Sequence, residues 1–192
     1  MLYYLMGKSS SGKDTIYKKL MSAKNLNVKA LVPYTTRPIR EGEEEGREYH
    51  FTDKSGLDEL RSQGKVIEER CYHTVHGDWF YFTVASDETD IDNEDYLYIG
   101  TLESYEKTRA YYGNEKVVPI YIELDDGERL ERALSRERMQ DQPKYKELCR
   151  RFIADCEDFS EEKLERLGID KRFYNDDLDK CVDEICDFLL AK

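Results

Sequence analysis

Residues 2–15, LYYLMGKSSSGKDT, decide the fold. The apolar run Leu2 to Met6 reads as a buried strand, and Gly7, Lys8, Ser9, Ser10, Ser11, Gly12, Lys13, Asp14 and Thr15 follow it as a phosphate-binding loop. Glycines at both ends let the backbone curl with its amide hydrogens inward, and Lys13 carries positive charge to the outer phosphates at the mouth of the next helix. That order makes a nucleoside triphosphate the expected ligand. One residue departs from the pattern. A serine or threonine normally follows the lysine and places its hydroxyl on Mg²⁺, whereas here Asp14 takes that position and Thr15 comes one step later.

Outward from the loop, strands and helices alternate. The helix leaving it is expected over Lys13 to Lys24, with Ile16, Tyr17, Leu20 and Met21 on its inner face, and a second strand over Lys29 to Val32. Pro33 to Gly46 reads as a long functional loop, Glu48 to Thr52 as a short strand, and Gly56 to Ser62 as a helix capped by Ser55. Lys65 to Tyr72 and Trp79 to Val84 form a small sheet. The chain then returns to strand Tyr96 to Ile99, helix Leu102 to Tyr112, strand Val117 to Leu124 and a helix from about Gly127. Strand Asp170 to Tyr174 and helix Asp177 to Leu190 close it. Such alternation predicts a parallel α/β sheet.

Composition limits the alternatives. The 192 residues suffice for one well-buried core with appendages, and 38% charged residues beside 39% hydrophobic ones describe a globule with a solvated surface. A net charge of −12 repels polyanions, so a nucleic acid polymer is not an expected partner, and a small anionic nucleotide needs a local basic pocket. No segment is long and apolar enough for a membrane span, and the opening lacks the basic leader of a signal peptide; a cytoplasmic location is the expectation. Cys71, Cys149, Cys156, Cys181 and Cys186 are scattered without a CxxC pair, which predicts buried free thiols rather than a metal or redox centre.

The basic pocket is offered by Tyr34, Thr35, Thr36, Arg37, Pro38, Ile39 and Arg40, leading on to Tyr49. Two arginines three apart on a proline-stiffened loop can converge on one phosphate, and guanidinium forks suit paired nonbridging oxygens. The alternative is a solvated loop whose arginines pair with Glu41, Glu43, Glu44 and Glu45. The stretch TTRPIREGEEEGREYHF, residues 35–51, closely resembles the TTRxxRxGExxGxxYxF signature of guanylate kinases. That resemblance implies a three-layer P-loop fold, a parallel sheet with helices on both faces. To it are added a small inserted, mostly β acceptor-binding subdomain at 34–84 and an arginine-rich helical lid at 129–151, all in one domain spanning 1–192.

By the same resemblance Arg37, Arg40 and Tyr49 take the acceptor phosphate. Val66, Ile67, Glu68 matches the run whose carboxylate meets the guanine base, and Tyr81 and Thr83 match a Tyr-Gly-Thr, so that Glu68 and Thr83 read the base. Arg132, Arg136 and Arg151 resemble the lid arginines, and Asn175, Asp176, Asp177, Leu178 the segment bordering the donor adenine. The implied activity is transfer of the γ-phosphoryl group of ATP to GMP with Mg²⁺, by a monomer or homodimer. Lys13 would hold donor phosphates while Arg37, Arg132, Arg136 and Arg151 act on the transferring group. For the lid arginines the alternative is pairing with Glu128, Glu131 and Glu137 on a helix surface.

Departures bear on the base more than on phosphoryl transfer. Phe82 replaces the glycine of Tyr-Gly-Thr, Gly100 stands where an aspartate near the guanine is usual, Tyr34 where a smaller polar residue is common, and the segment from Glu68 to Tyr81 is longer. Asp14 has two readings: it contacts Mg²⁺ directly or through water, or it turns outward as a favourable first-turn acid while Thr15 carries the hydroxyl role. A related kinase with another phosphorylated acceptor, and a non-catalytic phosphopeptide-binding module of the same fold, are the rival functions. Gly7, Gly12 and Lys13 speak against the second.

Overall fold

The computed structural model describes residues 1–74, 77–86 and 88–192. Strand β1 (Leu2–Gly7) is buried along its whole length, because it runs at the centre of a five-stranded parallel sheet covered on both faces. Its neighbours are β7 (Asp95–Ile99) and β8 (Val117–Glu123); β2 (Val28–Ala30) and β9 (Arg172–Tyr174) complete the order β2-β7-β1-β8-β9. Alternation along β1 divides the core. Leu2, Tyr4 and Met6 pack with Tyr98, Tyr121 and Phe159 on one face, whereas Tyr3 and Leu5 pack with Ile16, Leu20, Ile185 and Leu189 on the other.

The second face is supplied by α1 (Lys13–Ser22) and α7 (Leu178–Leu190), the first by α3 (Leu102–Tyr112) together with residues at and beyond the end of α5 (Tyr145–Asp158) and on α6 (Glu161–Arg166). Helix α4 (Asp126–Arg138) follows β8 and packs on α5. The layered parallel α/β architecture read from the sequence is thus what forms. The parallel strands put the β1–α1, β7–α3 and β8–α4 turns at one edge of the sheet, where ligands of open α/β folds bind.

A second, four-stranded sheet in the order β4-β3-β6-β5 lies between residues 34 and 84: β3 (Tyr34–Thr35), β4 (His50–Phe51), β5 (Val66–Thr74) and β6 (Gly77–Val84). One face of it packs on α2 (Lys54–Ser62) through Leu57, Phe82 and Val84. Several boundaries move from the sequence reading. Asp53, not Ser55, caps α2, its carboxylate accepting the Gly56 amide at 2.8 Å. The Glu48 to Thr52 strand shrinks to His50–Phe51, and the loop from Pro33 opens with strand β3 instead. The charged run after Gly127 hides two helices, α5 and α6, whose apolar stripes are narrow. Of the cysteines only Cys181 and Cys186 are buried; Cys71 and Cys149 are exposed, contrary to the expectation for all five.

Candidate active site

The loop after β1 has the conformation its glycines require. Gly12 caps α1 with φ +89°, and a Cβ on it would lie 2.2 Å from Asn175 Nδ2. A Cβ on Gly7 would meet the Ile122 carbonyl at 2.7 Å and Ser11 Oγ at 2.8 Å. The Ser11 hydroxyl is buried and has no hydrogen-bond partner among the described residues. An orphaned hydroxyl in a loop of inward-curled backbone, ahead of a helix N-terminus, is the arrangement an anionic ligand completes.

Three side chains from distant elements brace this loop. Asn175, just beyond β9, donates from Nδ2 to the Ser11 carbonyl at 2.7 Å, while its own carbonyl accepts Arg132 Nη2 at 3.2 Å. Arg129, only 1% exposed, donates to the Ser9 carbonyl at 2.9 Å, and Asp155 of α5 accepts the Ser9 amide at 2.8 Å. Asp126 takes the rest of the Arg129 fork at 2.7–2.9 Å. Sequence reasoning passed over Arg129 and Asp155 as site residues. The signal for Arg129 was its spacing: with Arg132 and Arg136 it forms an i, i+3, i+7 stripe on one face of α4.

Arg136 donates to Ser10 Oγ and Lys8 Nζ to the Asp126 carboxylate, both at 3.2 Å, so with Arg129 the helix α4 reaches the loop at three points. Arg132 also lies 3.8 Å from Glu128, the helix-surface pairing foreseen as its alternative. Arg151 of α5 is half exposed and lies with Arg136, Ser9 and Ser10 around a small crevice over the loop. Lys13 Nζ stands 3.7 Å from an Asp14 carboxylate oxygen, and the Asp14 side chain is 80% exposed, pointing outward. Thr15 is exposed as well. Asp176 is exposed, and a cavity of about 550 Å³ opens beside it, lined by Lys8, Arg129, Tyr174 and Asn175 among others.

The residues expected on the acceptor side lie on and around the small sheet. Arg37 is 3% exposed and gives both guanidinium nitrogens to Glu43, at 2.6 and 2.7 Å, with its carbon 5.0 Å from the centre of the Tyr49 ring. The ion-pair alternative is therefore realised for Arg37, and the partner is the glutamate of the motif itself. Glu43 also accepts the Arg40 amide at 2.9 Å, which ties the turn; the Arg40 side chain is exposed. The hydrogen bonds from Arg37 hold the Glu43 carboxyl below the usual range, against the opposing effect of burial. Tyr49 lies 5.6 Å from Tyr81, edge to face.

Glu68 and Thr83 pair across β5 and β6, and the Thr83 hydroxyl donates to Glu68 Oε1 at 2.8 Å. Neither is more than 3% exposed. Phe82 and Tyr34, also directly paired, point to the opposite face, where Tyr34 stacks on Phe82 at 5.5 Å and meets the His50 ring at a tilt, 4.7 Å away. Both substitutions thus serve the packing on α2 and leave the Glu68 face untouched, which corrects the sequence-based view of them as changes to the base pocket. Gly100 is different: a Cβ there would lie 2.5 Å from Tyr4 Oη and 2.7 Å from Tyr98 Cε1.

The chain thus carries a glycine loop braced by arginines of α4 and, on its small sheet, a buried arginine paired with a glutamate. The family model described as guanylate kinase matches residues 1–192, the whole chain. The chain belongs to the guanylate kinase family. A guanylate kinase of Anaplasma phagocytophilum is 28% identical over 199 residues, covering 100% of this chain and 87% of the relative. One of Porphyromonas gingivalis is 27% identical, covering 96% and 93%. The crystal structure of the guanylate kinase from Anaplasma phagocytophilum superposes with a TM-score of 0.67 at 21% identity, over 100% of this chain and 85% of that one, and so matches the fold.

Asp14 and Thr15 offer oxygen donors of the kind a hard cation takes, solvent-open at the mouth of α1 beside Lys13. Elsewhere, Cys71, His73 and Asp78 bring donor atoms within 4.8 Å of one another on the exposed β5–β6 hairpin, where His73 Nδ1 already bonds Asp78 at 2.7 Å. No helix among the described residues is long and apolar enough to cross a membrane.

Proposed function

We propose that this enzyme transfers the γ-phosphoryl group of ATP to GMP, giving ADP and GDP, with the loop from Gly7 to Thr15 as donor site and the small sheet as acceptor site. The observation that carries the reading is the presence, in one chain of this family, of a loop with the glycine conformation and lysine of a phosphate site and of a buried arginine of the acceptor motif, Arg37. The retained Gly7, Gly12 and Lys13, with the unpartnered Ser11 hydroxyl, leave the non-catalytic module without support.

In-line transfer needs alignment and neutralisation of charge more than covalent help. Lys13 and the α1 N-terminus hold donor phosphates. Arg37 exchanges Glu43 for the acceptor phosphate and, with Tyr49 and Arg40, fixes it. Asn175 and Asp176 border the adenine. Arg132, Arg136 and Arg151, on the lid formed by 129–151, close over the transferring group and exclude water, so that hydrolysis does not compete. Asp14, directly or through water, or else the Thr15 hydroxyl would hold Mg²⁺, and the ion would supply charge to neutralise the phosphates. A bare Asp14 carboxylate at 4 Å from a phosphate charge is unfavourable by about 4 kcal/mol at an effective dielectric near 20, and a cation between them reverses the sign.

The test is ADP formation by purified protein with ATP and Mg²⁺, offered GMP, dGMP, AMP, CMP, UMP and IMP in turn. Turnover of GMP is expected. Turnover confined to other acceptors would replace GMP, and none with any acceptor would overturn the kinase reading.

A further inference from the structure

Beside Glu68 lies Arg70, which no motif singles out. It lies two positions after Glu68 on β5, hence on the same face, with its side chain 10% exposed and that of Glu68 fully buried. Arg70 Nε donates to Glu68 Oε2 at 3.1 Å and Nη2 to Oε1 at 3.2 Å, while Nη1 reaches Thr101 Oγ1, the cap of α3, at 3.3 Å. Thr83 adds its hydroxyl to Oε1 at 2.8 Å and shares a hydrogen bond of 2.9 Å with the Tyr98 hydroxyl. Thr101 in turn lines a cleft of about 530 Å³ with Ser9, Tyr72 and Arg151, so the cluster adjoins this space through its Thr101 contact.

The acceptor capacity of Glu68 decides what base it can read. A carboxylate offers roughly four lone-pair positions; Arg70 takes two and Thr83 a third. About one remains. The guanine edge presents two parallel donors, N1–H and the 2-amino group, whereas hypoxanthine presents N1–H alone; both carry the 6-oxo acceptor. Position 100 cannot supply a second carboxylate, because any side chain there collides with Tyr4 and Tyr98.

Strong discrimination by a polar site arises when the wrong ligand leaves buried groups unpaired. Here Arg70 already pairs Glu68, so a purine without the 2-amino group leaves nothing unsatisfied. The guanidinium retains N–H donors that match a 6-oxo group and oppose a 6-amino group. Building on the acceptor reading above, we propose that Arg70 is a specificity-determining residue. Its ion pair with Glu68 selects 6-oxopurine monophosphates and removes the advantage of the 2-amino group, making IMP an acceptor alongside GMP. In the reaction an oxygen of the IMP phosphate bonds to Pγ, the bridging oxygen–Pγ bond of ATP breaks with its electron pair left on ADP, and IDP forms.

Calorimetric titration of the full chain with GMP, IMP and AMP tests this independently of turnover. The wild type is expected to bind GMP and IMP within about threefold of each other and AMP at least tenfold more weakly. Arg70→Ala frees Glu68 and is expected to shift the ratio at least tenfold towards GMP, equivalent to 1.4 kcal/mol. Arg70→Lys keeps a compensating charge where the alanine variant fails to fold, and is expected to shift it threefold. A wild-type preference for GMP over IMP above tenfold, AMP binding as well as GMP, or an unchanged ratio in a folded Arg70 variant overturns the inference alone. Failure of the wild type to bind either GMP or IMP overturns the acceptor reading and the inference together.

Discussion

Replacing Gly12 by alanine separates the two demands that the structure makes at the head of α1. The first is conformational: φ is +89°, and an L side chain in the left-handed region costs about 1–2 kcal/mol. The second is steric. The new methyl would sit 2.2 Å from Asn175 Nδ2, and Asn175 is 3% exposed, so its amide can move only by giving up the Ser11 carbonyl. Losing that bond costs about a further 1 kcal/mol. The sum, about 2–3 kcal/mol, corresponds to a fall in melting temperature of about 4–12 °C for a protein of this size. Thermal melts of Gly12→Ala, Asn175→Ala and the double variant resolve the terms. In the Asn175→Ala background only the conformational cost remains, so the glycine substitution should cost about 1 kcal/mol less there than in the wild type. Strict additivity of the two substitutions, or a Gly12→Ala melt within 2 °C of wild type, would refute the reasoning.

Arg129→Lys keeps the charge but loses the fork that joins Ser9, Asp126 and Asp155; melting should drop and the KM for ATP rise several-fold, whereas an unchanged KM would detach Arg129 from the donor loop. Phe82→Leu should cost about 1–2 kcal/mol in urea unfolding yet leave the KM for GMP within threefold, because Phe82 faces α2 rather than Glu68. Glu43, held below its ordinary value by Arg37, stabilises the fold above the unfolded carboxyl value of about 4.3 and loses that contribution as pH falls through the lower folded value. The stability gap between wild type and Glu43→Gln in urea at pH 6 should therefore narrow at pH 3; a constant gap would contradict the assignment. Asp14→Ser should shift the Mg²⁺ dependence of ADP formation if the carboxylate serves the ion, and an unmoved titration assigns that role away from Asp14.

The sequence by itself determined the parallel α/β fold, because a buried run, a glycine loop and alternating strand and helix periods are local properties. It also singled out the glycine loop ahead of α1 and Arg37, because residue type at fixed spacing is legible in a sequence, whereas the Glu43 partner of Arg37 was there only an alternative. The small-sheet strand Tyr34–Thr35 and helices α5 and α6 escaped it; a two-residue strand has no period, and helices with narrow apolar stripes look like charge runs.

Only the tertiary structure decided which side chains meet. Arg129 and Asp155 lie more than a hundred residues from Ser9 in the chain, yet hold its carbonyl and amide. Phe82 and Tyr34 left the base pocket because strand register sends them to the other face. Arg70 meets Glu68 for the same reason, two residues away on one face, where its guanidinium compensates a buried carboxylate. Asp14 stays at the mouth of the loop, outward beside Lys13, because a first-turn carboxylate is favoured by the helix N-terminus and remains hydrated there.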